Sequence, residues 1–180
     1  MGATIKILPH YTYEDYCKWE GQWELIEGIP HAMSPAPIPK HQLIASNVNI
    51  EFGIALKKAE CKKCKASQPV DYKISEDTIV QPDFLIYCGK TKKTLLDFPP
   101  VLIVEILSPS TALKDRHTKF YLYQQAGVHY FLLINPETEI IQVFILDKEE
   151  YHLAQEGHSF LFSFQIDDGC RIEVDFGEIW

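Results

Sequence analysis

The sequence predicts one α/β domain with a mixed central sheet over residues 1–180. Three observations predict it. Two apolar, β-branched runs, Ile79–Ile86 and Val101–Leu107, read as strands. Two segments with helical spacing, Lys40 to about Lys65 and about Ala112 to Ala126, alternate with them. His129–Ile134 and Glu139–Leu146 then flank the turn-forming Asn135-Pro136-Glu137-Thr138, the pattern of a hairpin.

The elements follow in order. Thr12-Tyr13-Glu14-Asp15 opens a short helix to about Trp19, with Thr12 as N-cap and Asp15 at the third helical position. Trp23–Glu27 and Ile29–Met33 read as paired strands turning at Gly28. Ser34–Pro39 is a rigid loop, because its three prolines continue neither a ladder nor a helix interior. From Lys40 the apolar positions Leu43, Ile44, Val48, Ile50, Phe52, Ile54, Ala55 and Leu56 give a long helix with one buried face. Pro69–Ile74 is a candidate strand, ahead of the two acid-bearing ones. Ser108-Pro109-Ser110-Thr111 reads as the turn and N-cap of the next helix, which Gly127 closes at C′. The tail, Tyr151–Trp180, alternates weakly and reads as further short strands. No repeat, low-complexity tract or linker divides the chain.

With 46% hydrophobic and 23% charged residues, the composition is that of a globular protein. The start, Met1–Lys6, lacks the apolar core of a secretory signal, and no apolar run reaches the roughly 18 residues of a membrane span. Five cysteines, an odd number, fit a reducing cytoplasm better than a disulfide framework, so a cytoplasmic location is expected. Cys61-Lys62-Lys63-Cys64 has zinc-like spacing but lacks a second pair of ligands; on a helix the two sulfurs share a face, and half-buried cysteines are expected. The net charge of -8 argues against a broad, sequence-independent DNA binder, yet it does not exclude a metal-dependent nuclease. The basic stretch Lys57–Lys65 reads as a solvated helix end.

The chemistry-bearing residues are acids inside apolar strands. Asp83 and Glu105 would lie on neighbouring strands, and hard cations such as Mg²⁺ take one or two such carboxylates beside several waters. Lys119 lies inside the following helix and could point back toward the sheet, while Lys114 and Arg116 stand at that helix's start. Two acids and a lysine are the parts of a metal-dependent phosphodiesterase. Structural alternatives stand beside this. Asp83 could cap a backbone amide, and Glu105 could form an ion pair with Lys119 or Arg116. Ser108 lacks the Gly-x-Ser-x-Gly setting of a nucleophile. His41, next to the end of the proline loop, could approach the site, although a lone histidine more often makes a structural hydrogen bond, and the aromatics read as core or subunit interface.

In order along the chain stand Trp23-Glu24-Leu25-Ile26-Glu27-Gly28, Pro37 to His41, and Gln81-Pro82-Asp83. Then come Val104-Glu105-Ile106-Leu107-Ser108-Pro109-Ser110-Thr111, Asp115-Arg116-His117-Thr118-Lys119, Tyr123 and Ala126-Gly127-Val128. Over roughly residues 10 to 150 this order resembles the Uma-type endonucleases of the PD-(D/E)XK superfamily. The resemblance implies a restriction-endonuclease-like core, a central mixed β-sheet flanked by helices, with additional short strands at both ends. It implies Mg²⁺ held by Asp83 and Glu105, with Mn²⁺ able to substitute, and DNA as substrate. The superfamily's usual lysine position, two after the acid, is here Leu107; Lys119 matches the lysine that this family carries on the next helix. Glu24 matches an early acid facing the same site. A homodimer is also implied. Where relatives read Gly-Val-x-Glu-Tyr-Trp-x-x-Asp-Pro, this chain has Tyr130 for the glutamate and Asn135 for the aspartate, a departure expected to touch packing or assembly rather than metal binding. The rival expectation is a catalytically silent, homo-oligomeric binding module that retains the fold.

Overall fold

The computed structural model describes residues 9–33, 38–91, 94–108 and 114–180. Residues Met1–Lys6, most of the proline loop and the Pro109–Ala112 start of the second long helix lie outside them. A short helix α1 (Tyr13–Tyr16) leads into β1 (Trp23–Ile26) and β2 (Ile29–Ala32), then the long α2 (Pro39–Lys58). Five strands follow: β3 (Cys64–Ser67), β4 (Tyr72–Ser75), β5 (Thr78–Val80), β6 (Phe84–Cys88) and β7 (Leu102–Ile106). A π-helix (Lys114–Lys119) runs into α3 (Phe120–Gln125). The chain finishes with β8 (Tyr130–Asn135), β9 (Ile140–Asp147), β10 (Glu150–Gly157), β11 (Leu161–Asp167), β12 (Cys170–Asp175) and a 3₁₀ turn, Phe176–Ile179.

Six strands form the central sheet in the order β10-β9-β8-β7-β6-β3. Within it β7 and β8 run parallel, and every other pairing is antiparallel. Parallel neighbours need a crossover, and the π-helix and α3 supply it. A smaller sheet, β2-β1-β5-β4, stands apart, as does the hairpin β11-β12. The β1-β2 turn is tight: Glu27 and Gly28 have φ of 49° and 76°, the left-handed pair that two-residue hairpins use. A Cβ on Gly28 would lie 2.2 Å from the His10 ring, so only glycine fits.

Three expectations need correction. The run Ile79–Ile86 is two strands in different sheets, because Pro82 has no N–H to donate and breaks the ladder. The long helix stops at Lys58 rather than near Lys65; Glu60 takes a left-handed φ of 52°, and Cys64 already opens β3. Cys61 and Cys64 therefore do not share a helix face. Both are buried and disulfide-bonded, Cys61 to Cys170 and Cys64 to Cys88, which leaves Cys17 as the free thiol. That overturns both the zinc alternative and the view that five cysteines disfavour disulfides. The tail forms the expected strands, of 8, 7 and 6 residues. No helix among the described residues is long and apolar enough to cross a membrane.

Helices cover both faces of the central sheet. On one, α2 buries Ile44, Ala45, Val48, Phe52, Ala55 and Leu56 against β6, β7, β8 and the β11-β12 hairpin. Phe52 is the hub, with ring centroids 5.2 Å from Phe84 and 5.5 Å from Phe164. On the other face, Tyr123 of α3 packs with Leu85, Ile103, Phe131 and Leu133. Truncating Phe52 to alanine leaves a void between three layers. We expect about 3–5 kcal/mol of lost stability, measured as a lower urea midpoint.

Candidate active site

β7 is buried along its whole length, with Leu102, Ile103 and Val104 fully inaccessible. Glu105 in that strand is only 2% exposed. An ionised carboxylate there loses several kcal/mol of hydration unless it is paired and hydrogen-bonded. Two groups from the following helical segment meet the need. Lys119 Nζ lies 2.9 Å from Glu105 Oε1, and the Tyr123 hydroxyl donates to the same oxygen at 2.7 Å. Four residues apart, the two side chains lie on one face of their helix.

Lys119 is itself buried and also lies 2.8 Å from Glu24 Oε1. Glu24, in β1, is fully inaccessible and accepts the Gln81 backbone N–H at 3.0 Å. One ammonium is thus held between two carboxylates from two different sheets. The position of Lys119 depends on the wider turn of a π-helix, a local geometry frequent at functional sites. Burial, then the nearby charges of Asp71 and Glu24, push the Tyr16 phenol far above its ordinary range.

Asp83 stands at the break between β5 and β6. Phe84 pairs with Val104, so one step further along the ladder Asp83 comes opposite Glu105. Its Oδ2 accepts the Ile106 N–H at 2.8 Å. His41 Nε2, from the first turn of α2, lies 3.3 Å from that same oxygen. The Asp83 side chain is 23% exposed, against 0–4% for Glu24, Glu105 and Lys119, so the site opens to solvent on the Asp83 side.

Folding therefore brings Glu24, Glu105 and Lys119 into direct contact and sets Asp83 beside them. The structural alternatives are both present: the Asp83 carboxylate binds a backbone amide, and Glu105 forms an ion pair with Lys119. Arg116 lines a shallow hollow with Leu107 and Asn135. Two further residues from the family order meet the cluster: Tyr123, quoted there without a role, on Glu105, and His41, a matching position that could approach the site, beside Asp83. The departures from the family pattern do serve packing. The Tyr130 hydroxyl accepts the Gln165 N–H at 3.0 Å, pinning the β11-β12 hairpin, and Asn135 Oδ1 accepts the N–H of Glu137 at 3.0 Å within the turn.

Residues 12–165 match the sequence profile of the family described as "Uma2: Putative restriction endonuclease". The chain is similar to "Uncharacterized protein slr1290" of Synechocystis, at 25% identity over 174 residues, covering 92% of this chain and 85% of that one. Among solved structures it is similar to "a putative nuclease belonging to DUF820" from Anabaena variabilis. The TM-score is 0.67 at 19% identity, over 79% of this chain and 83% of the other. That likeness establishes the fold, the restriction-endonuclease-like arrangement of a mixed sheet between helices.

The two carboxylates that share Lys119 are buried too deeply to be rehydrated without opening the core. Replacing Lys119 by methionine should cost about 3–5 kcal/mol at neutral pH, read from denaturant midpoints against the parent protein.

Proposed function

We propose, because the chain belongs to the Uma2 "putative restriction endonuclease" family, that it is a nuclease hydrolysing phosphodiester bonds in DNA with a divalent cation, Mg²⁺, for which Mn²⁺ substitutes. The observation that carries this reading is the convergence of buried acids on a buried lysine, with Lys119 2.8 Å from Glu24 and 2.9 Å from Glu105. Structural charges are seldom buried in such excess: two carboxylates share one ammonium, and a third carboxylate stands next to them at the open side. That donor set, all hard oxygens with a local negative excess, fits Mg²⁺.

Asp83 and Glu105 would hold the cation. The N–H and C=O of one strand residue point the same way, so the Ile106 carbonyl faces Asp83 and would join them. When bound, such a cation supplies Lewis acidity to a phosphoryl oxygen and acidifies a nearby water. Lys119 orients the attacking water and offsets the negative charge developing on the phosphate. Glu24 keeps Lys119 in line. The water oxygen bonds to phosphorus, one P–O ester bond breaks, and the leaving alkoxide takes up a proton.

A second reading, the catalytically silent oligomeric module, draws on the net charge of -8, which disfavours a phosphate-bearing partner. Calorimetric titration with Mn²⁺ separates the two, because a silent module has no reason to bind the ion at Asp83. A homodimer belongs to either reading. Leu43, Ile50 and Ile54 form one apolar stripe on the outer face of α2, 40–54% exposed, that a second copy would cover. Light scattering should then give twice the chain mass, and Ile50→Glu should return the monomer. The reading from composition is a cytoplasmic location, whereas the two disulfides suit an oxidising compartment.

For the nuclease, plasmid DNA should be cut with Mg²⁺ or Mn²⁺ and left intact with a chelator. Asp83→Ala should abolish cutting; cleavage that persists in that variant would exclude the mechanism.

A further inference from the structure

We propose that Cys64, Cys88 and Asp167 form a Zn²⁺ site when the Cys64–Cys88 disulfide is reduced. The site lies at the other end of β6 from Asp83 and is independent of the nuclease reading.

The fold gathers the three ligands from three strands. Cys64 opens β3 and Cys88 closes β6; they stand directly opposite in the antiparallel ladder, with Cα atoms 4.0 Å apart. The Gly89 N–H donates to the Lys63 carbonyl at 3.0 Å, so the ladder keeps the pair in register whether or not the sulfurs are bonded. Asp167 ends β11 and pairs with Cys170, whose disulfide to Cys61 ties this hairpin to the segment ahead of β3. Cys88 Sγ also lies 3.8 Å from the Ile166 carbonyl oxygen. Both sulfurs and an Asp167 carboxylate oxygen lie within 4.8 Å of one another. Around tetrahedral zinc, with bonds of about 2.3 Å to sulfur and 2.0 Å to oxygen, neighbouring ligand atoms are roughly 3.5–3.8 Å apart. Reduction frees both cysteine χ1 torsions, and small side-chain rotations reach that spacing.

The donor set selects the ion. Two thiolates favour Zn²⁺ over Mg²⁺, and a carboxylate serves as the third zinc ligand, with water in the fourth position. Among the described residues the Asp167 carboxylate has no ion pair or side-chain hydrogen bond, yet it stands against the sulfur pair. A disulfide offers that charge nothing to bind, whereas a cation does. Lys63 and Lys65 flank Cys64, and Lys90 stands two positions beyond Cys88, so positive charge offsets the anionic ligands. The Cys61-x-x-Cys64 spacing does not make this site, because Cys61 is bonded to Cys170. Cys88 is the half-buried member of the pair and is open to a small dithiol. The dithiol delivers two electrons and two protons to the Cys64–Cys88 bond and closes into its own disulfide. Zn²⁺ then displaces both thiol protons. The metal link replaces the covalent one and adds the hairpin to it, so this corner stays fastened in a reducing compartment.

The test titrates the full chain with Co²⁺ and then Zn²⁺, both oxidised and after reduction by a dithiol that is removed without oxygen. Reduced protein should bind Co²⁺ with a thiolate-to-cobalt charge-transfer band that Zn²⁺ displaces, and oxidised protein should show no such band. Cys88→Ser should abolish it. Asp167→Asn, an exposed and isosteric change, should keep the fold, checked by circular dichroism, and weaken Zn²⁺ binding on the order of tenfold or more. A folded, reduced protein without the band would overturn the site, as would a reduced protein that unfolds and does not refold with Zn²⁺. Unchanged affinity in Asp167→Asn would overturn the ligand assignment. So would an equal loss in Cys61→Ser, which would put the ion on a different set of sulfurs. DNA cleavage is not part of the readout, so failure of the nuclease reading would leave these outcomes unaffected.

Discussion

The buried ammonium of Lys119 is the constraint on which the rest of the site depends. Two carboxylates, Glu24 from the small sheet and Glu105 from the large one, are almost wholly withdrawn from water. Neither sheet could bury its acid alone. The lysine comes from a third element, so the two sheets and the crossover helix must dock together before all three charges are compensated. Electrostatics thereby acts as a check on assembly: a misplaced helix would leave unpaired charge in the core.

A second constraint comes from one proline. Had residues 79–86 formed a continuous strand, β5 and β6 would lie in one sheet, and Asp83 would be an interior strand residue. Pro82 interrupts the ladder, and the chain passes from one sheet to the other within three residues. The same interruption frees the Gln81 N–H to hold Glu24 and turns Asp83 toward the end of β7. The seam between the sheets is thus where the acids gather.

Much of this could be read from the residues. Glu105 announced itself because an acid in an otherwise hydrocarbon strand demands a partner, and Asp83 stood out for a similar reason. The mixed sheet followed from alternating strand and helix patterns, and the Glu27-Gly28 turn from its glycine. What escaped was long-range. No local signal distinguishes a π-helix from an α-helix at Lys114–Lys119, since both carry much the same residues. Cysteine pairing over a separation of 109 residues requires the fold itself to be known. The contact of His41 with Asp83 was hidden as well, because that carboxylate lies 42 positions away.

The link between Cys61 and Cys170 has a topological meaning. It closes a ring containing β3 through β11, with Asp83, Glu105 and Lys119 inside it and Glu24 and His41 outside. Within that ring a protease could nick the backbone once without separating the pieces, since the covalent circuit would still run through sulfur. The catalytic candidates would stay tethered to the amino-terminal part that completes their cluster, and a single break would not by itself scatter them.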